Sequence, residues 1–193
     1  MSGGVRVPFL VAEAAATDLV ARLRPGCERI EIAGSVRRGG PGIGDLEIVA
    51  IPRIEQEPDT SVLFGGMLDV SRLDERIAEL RLEGILRPSD LPRDGERYKA
   101  FVHVPSGLGL DLFIVRPPAT WGVIFTIRTG PAAYSQRLVT EARRRGFHHA
   151  DGALHRGSMG CTRFSACEVI PTPEEVDLFE ALGMPYLEPG ARR

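Results

Sequence analysis

Apolar residues recur along the chain in two periods, and the change from one to the other marks out the elements. Over residues 8–24, Ala12, Ala16, Leu19, Val20 and Leu23 fall at helical spacing, and Pro25-Gly26 ends that helix. Residues 30–33 and 46–51 read as two buried strands. Residues 52–66 are polar with scattered Gly and Pro, which predicts a loop. Ser71 and Asp74 have the spacing of a capping box and open a helix with Leu73, Ile77 and Leu80 on its inner face, ending near Gly84. A short strand over 84–90 and a turn-rich connector over 89–96 follow. Residues 98–104 and 109–115, joined by Pro105-Ser106-Gly107, predict a hairpin. Pro117-Pro118 marks a boundary. Beyond it come helices over 119–127 and 132–145, the second stopped by Gly146, then short strands over 148–155 and 168–171. Thr172 is placed to cap a last helix over 173–182, with Pro173 at its first position.

These elements predict an α+β (mixed α/β) fold: a mixed sheet with flanking helices, then a smaller helical region with a short sheet. The 193 residues, 43% hydrophobic and 26% charged, suffice for a buried core. No apolar run reaches membrane-spanning length and residues 1–9 lack a signal-peptide pattern, so no membrane partner is expected and a cytoplasmic, non-secreted protein is. Cys27, Cys161 and Cys167 read as reduced thiols, and their spacing with His148, His149 and His155 fits no zinc finger. The net charge of −2 gives no broad basic field, so any duplex binding should be weak and fade with salt. From residue 118 onward nine arginines face eight acids. Arg143, Arg144 and Arg145 there read either as a solvated helix end or as a nucleic-acid contact. Lys99 is the only lysine, which leaves Schiff-base chemistry almost no candidate.

The chemistry concentrates between residues 30 and 51. Gly34-Ser35, then Arg37-Arg38 and a loop with Gly39, Gly40, Gly42 and Gly44, separate the two strands. Asp45 and Glu47 stand two apart on the second strand and therefore share a face. Two adjacent carboxylates need a cation to stay ionised, and an all-oxygen donor set suits Mg²⁺. The Gly-Ser turn offers N–H groups and a hydroxyl to an anion, and Arg38 adds a charged fork. Asp111, set between Leu110 and Leu112, reads either as an edge-strand acid facing water or as a third carboxylate beside Asp45 and Glu47.

The form G-S-x-R-R-G followed by G-D-x-E resembles the polymerase-beta-like nucleotidyltransferases, and more narrowly the family X DNA polymerases. G-E-R-Y-K at 95–99, L-D-L-F at 110–113, the T-G-P stretch within 121–134 and F-E-A-L-G-M-P-Y-L-E-P-G-A-R at 179–192 are similar to further segments of that family, in order. The resemblance implies a nucleotidyltransferase palm over 1–117 and a thumb over 118–193. It implies that Asp45, Glu47 and Asp111 hold two Mg²⁺ ions (Mn²⁺ can substitute) and carry catalysis. Asp111 would sit nearest the attacking oxygen. Gly34, Ser35, Arg38 and Gly44, with Arg128, Thr129 and Gly130, would bind the nucleotide, Thr129-Gly130 under the sugar. Arg37 would be structural, Gly130-Pro131 a candidate cis bond, and Lys99 and Arg137 would meet DNA.

The departures bear on specificity. Glu47 stands where most members have Asp. Gly109 replaces a frequent arginine, and Ile127-Arg128 an aromatic pair. Only about 27 residues precede the first palm strand, so the chain resembles a minimal palm-plus-thumb form like that of a small viral repair polymerase, without lyase or fingers regions. The resemblance implies a template-directed DNA polymerase that adds dNTPs to a primer 3′-hydroxyl by two-metal-ion catalysis and fills short gaps in DNA repair. Its expected partners are gapped or primer-template DNA and dNTP, and it is expected to be a monomer. The alternatives are a stand-alone or template-independent nucleotidyltransferase acting on another acceptor, which the net charge and Glu47 favour, and a catalytically silent DNA-end-binding module.

Overall fold

The computed structural model describes residues 6–59, 65–157 and 167–193. In chain order the elements are β1 (Val7–Pro8), α1 (Phe9–Leu23), β2 (Cys27–Ile32), α2 (Gly34–Arg37), β3 (Gly42–Ile43), β4 (Asp45–Pro52), β5 (Ile54–Pro58), β6 (Met67–Ser71) and α3 (Arg72–Leu82). They continue with β7 (Leu86–Asp94), β8 (Tyr98–His103), β9 (Leu108–Ile114), α4 (Trp121–Thr129), α5 (Ala132–Arg144), β10 (Phe147–Ala150), β11 (Ala153–Arg156), β12 (Glu168–Ile170) and α6 (Glu175–Ala181). The fold is α+β, as the periodicities predict.

Five strands form the main sheet in the order β2-β4-β9-β8-β7. Only β4 and β9 run parallel; their neighbours are antiparallel. Alternation along β4 sends Leu46, Ile48 and Ala50 to one face, where they meet Ala12, Ala16, Leu19 and Leu23 of α1 and Leu73, Ile77 and Leu80 of α3. Val49 points to the other face and packs with Ala33, Phe113, Val115, Trp121 and Phe125, so α4 covers that end of the sheet. Asp45 and Glu47 share Val49's face but lie beyond this apolar patch. A third cluster, with Tyr134, Leu138, Phe147, Leu154, Leu178 and Phe179, joins α5, β10-β11 and α6.

Several local expectations need correction. The stretch read as a loop over 52–66 contains β5, which pairs antiparallel with β6; residues 60–64 lie outside the described ones. Its strands are largely exposed and carry no apolar alternation to reveal them. Arg72, at the start of α3, holds β5 through Glu55 at 2.7 Å and Glu57 at 2.6 Å, and meets Glu75 of its own helix at 2.8 Å. The connector over 89–96 is mostly the continuation of β7, whose register shifts between Pro88 and Arg93. Proline is tolerated there because β7 is an edge strand. Ser71 caps α3 by accepting from the Asp74 N–H at 3.3 Å, as its spacing predicts. Thr172 does not cap α6. Its hydroxyl meets that of Thr120 at 2.6 Å, while Asp177 accepts from the Glu174 N–H at 2.7 Å. Among the described residues the cis peptide bond is Pro117-Pro118, so Gly130-Pro131 is trans. The expectation of reduced thiols holds for buried Cys27 but not for Cys167, which is disulfide-bonded; Cys161 lies outside the described residues. Among the described residues no helix is long and apolar enough to cross a membrane.

His149 in β10 is a buried imidazole whose two nitrogens have no hydrogen-bond partner. Burial, then the charges of Arg143, His148 and His155, push its pKa from 6.5 down to about 4. Between those values the unfolded chain holds the proton and the folded one does not, so stability falls as pH drops through this window. The loss expected is up to about 3 kcal/mol. Urea unfolding at pH 7 and pH 4.5 should show it, and His149→Leu should flatten the difference.

Candidate active site

The parallel pairing of β4 with β9 sets Glu47 directly opposite Asp111, and Asp45 opposite Gly109. Three carboxylates from two adjacent strands thus open on the sheet face that α4 leaves uncovered. Burial and then neighbouring negative charge act on two of them, Asp45 and Glu47. Burial, then the charge of Asp111, raises Asp45, against the opposing pull of Arg38 and Arg6. Burial, then Asp45 and Asp111, pushes Glu47 up to about 7, with Arg38 and Arg128 opposing. Among the described residues no three acid, histidine or cysteine side chains are drawn close enough to hold a metal ion as they stand. The donor set nevertheless fits a hard divalent cation: three carboxylates on one sheet face, Asp45 exposed and Glu47 and Asp111 half-buried, offering oxygen ligands alone.

The Gly-Ser turn lies against the same acids. Gly34 opens α2 with φ +59°, and a Cβ built on it would stand 1.8 Å from Glu47 Oε2. The Ala33 N–H donates to the Glu47 carbonyl at 2.8 Å, which locks the turn to β4. The Ser35 hydroxyl is buried without a hydrogen-bond partner. A buried hydroxyl without a partner is uncommon, and this one follows directly on the glycine that meets Glu47. Gly44, next to Asp45, is exposed and nothing lies within 4 Å of a Cβ placed there.

The two arginines of the turn take different tasks. Arg37 reaches Thr129 Oγ1 at 2.7 Å and both oxygens of Glu175 at 3.0 and 2.6 Å, with its guanidinium 3.9 Å over the Phe125 ring. Arg38 donates to the Thr129 carbonyl at 2.5 Å. Together they bind the turn to the end of α4 at Thr129, the residue before Gly130. A Cβ on Gly130 would stand 2.4 Å from Tyr134 Cδ1. Arg128 lays its guanidinium 4.0 Å over Phe113, the residue two after Asp111.

Two predicted site residues lie elsewhere. Ala100 pairs with Asp111, so its neighbour Lys99 points to the opposite face of the sheet, where it is buried between Asp94 at 2.5 Å and Asp74 at 3.0 Å. Arg137 lines a groove of about 850 Å³ between α5 and the C-terminal residues, with Arg144, Arg193 and Leu187; none of the three carboxylates reaches it.

Sequence reasoning passed over two features. Tyr98 Oη donates to Asp111 Oδ1 at 2.6 Å, and burial, then that hydrogen bond, pushes the phenol up to about 12. Its cue was a polar-tipped aromatic in the hairpin strand facing Asp111. Glu175 and Arg192 form a buried pair at 2.7 Å that receives Arg37. Glu175 looked like an ordinary first-turn acid, and only the fold brings it to Arg37.

The chain matches no protein-family model. It is similar to DNA polymerase lambda of Rattus norvegicus, 28% identical over 177 residues, which cover 82% of this chain and 28% of the relative. The chain therefore spans little more than a quarter of that relative's length.

Proposed function

We infer that the protein is a nucleotidyltransferase of the family X DNA polymerase type that adds a dNTP to a primer 3′-hydroxyl under template direction. The observation that carries this reading is the cross-strand pairing of Glu47 with Asp111, with Asp45 on the same face and the Gly34-Ser35 turn pressed against them. The similarity to DNA polymerase lambda supports it. In this reading residues 1–117 are the palm and 118–193 the thumb.

Asp45, Glu47 and Asp111 would hold Mg²⁺ or Mn²⁺, which lowers the pKa of a bound hydroxyl and neutralises triphosphate charge. The chain's own residues do the rest. Gly34 keeps the backbone low enough for phosphate oxygens to approach, and the unpartnered Ser35 hydroxyl is free to donate to one of them. Arg38 and Arg128 supply counter-charge beside Glu47. Thr129 and Gly130, fixed by Arg37 and Arg38, form the shelf for the sugar. Asp111 is the acid placed to take the proton of the attacking hydroxyl. Gap filling in DNA repair is the use this chemistry suits. Lys99, paired and turned away, is left out of the DNA contacts.

The test is single-nucleotide extension of primer-template and one-nucleotide-gapped DNA, with each dNTP and rNTP supplied separately, in Mg²⁺ and then Mn²⁺. Template-matched addition is expected, and Asp111→Ala should lower its rate about a thousandfold, equivalent to several kcal/mol of transition-state stabilisation. Untemplated addition would instead support a template-independent transferase, which the net charge of −2 favours. No addition by a folded, triphosphate-binding protein would overturn the polymerase reading.

A further inference from the structure

Asp111 is flanked by buried leucines, and Tyr98 occupies one of its oxygens with a 2.6 Å hydrogen bond. Tyr98 lies opposite Phe113 in the β8-β9 pair, so its phenol reaches diagonally to the acid two positions away. The ring is itself held. It stacks on Phe113, centroids 5.2 Å apart and planes inclined by 25°, and the Arg93 guanidinium lies 5.7 Å from its centre on β7. Phe113 carries Arg128 at 4.0 Å. Arg93, Tyr98, Phe113 and Arg128 therefore form one cation–aromatic run beside the carboxylates, ending on α4. Asp111 faces Glu47 across the strands, and repulsion alone would leave its carboxylate free to swing away.

We propose that Tyr98 is a positioning residue for the third carboxylate: it fixes Asp111 through Oδ1 and leaves the other oxygen to a divalent cation shared with Asp45 and Glu47. This rests on the metal-dependent reading of the site given above. A ligating carboxylate that loses such an outer hydrogen bond loses orientation, and metal affinity falls by about 10- to 100-fold. Tyr98 acts through Asp111 and touches none of the triphosphate-binding turn. Its loss should therefore lower kcat and leave the KM for dNTP near its original value.

The deciding measurement is Mn²⁺ binding by electron paramagnetic resonance, on the full chain without nucleotide or DNA. Tyr98→Phe keeps the ring stack, so the fold is retained, and it should bind Mn²⁺ at least about tenfold more weakly. Placed on an Asp111→Asn background, the same substitution should add no further loss. Unchanged or tighter binding in Tyr98→Phe, or an equal added loss without the Asp111 carboxylate, would overturn the proposal while leaving the metal-dependent reading intact. A wild-type chain that takes up no Mn²⁺ would overturn both, so the two failures are distinguishable.

Discussion

Glu175→Ala should destabilise the protein by about 3–5 kcal/mol, the range for removing one partner of a buried ion pair. Glu175 is 6% exposed, and the Arg192 side chain bound to it at 2.7 Å is wholly buried. The same carboxylate receives Arg37 on both oxygens. Alanine leaves two guanidiniums without their counter-charge, one of them with no path to water. For a chain of this size the melting temperature should drop by roughly 10 °C. Glu175→Gln keeps part of the hydrogen bonding and should fall between. The pH response has a definite sign. Burial raises the Glu175 pKa, but the hydrogen bonds from Arg37 and Arg192 outweigh it and leave it below the ordinary 4.5. Its contribution is thus complete above that ordinary value and is lost as pH falls through the depressed folded one. Thermal melts from pH 7 downward should show this acid step in the wild type and not in Glu175→Gln. Because Arg37 also holds Thr129, the alanine variant should lose nucleotide transfer together with stability. Unchanged melts would mean that the triad does not tie the turn to α6.

The site was legible where its chemistry follows from local spacing. Asp45 and Glu47 share a face because strand residues alternate, and that alternation is written in the chain. The hairpin carrying Asp111 was legible too, through Pro105-Ser106-Gly107 between two apolar runs. That Asp111 faces Glu47 was not, because the two stand 64 positions apart in the chain and the parallel pairing of β4 with β9 is a property of the assembled sheet. The same register decides Lys99. Once Ala100 is fixed opposite Asp111, alternation puts Lys99 on the back of the sheet, a conclusion unavailable before the pairing is known. Tyr98, Glu175 and Arg192 were missed for this reason as well: each earns its role from a partner brought up by the fold. The polar hairpin of β5 and β6 was missed because most of its side chains face water and leave no period-two signal.

Gly34→Ala should leave a folded protein whose nucleotide transfer is at least about a hundredfold slower, the penalty expected when reacting groups move by about 1 Å. Two effects combine. At φ +59° an alanine carries about 1–2 kcal/mol of left-handed strain that glycine avoids. Its Cβ would also stand 1.8 Å from Glu47 Oε2, 2.6 Å from Cδ and 2.8 Å from Glu47 Cβ. Turning the end of the Glu47 side chain relieves the first two contacts but not the third, so the turn must lift from β4. That motion pulls on the 2.8 Å hydrogen bond from Ala33 to the Glu47 carbonyl, displaces the carboxylate facing Asp111 and carries Ser35 with it. Mn²⁺ binding and dNTP binding should therefore weaken together, whereas Asp111→Asn should weaken chiefly the metal. Gly42→Ala is the matched control in the same loop, since nothing lies within 4 Å of its Cβ and its φ is ordinary. Titrations of Mn²⁺ and dNTP on the two alanine variants separate the outcomes. Equal binding by both would mean that the contact between Gly34 and Glu47 does not set the geometry of the site.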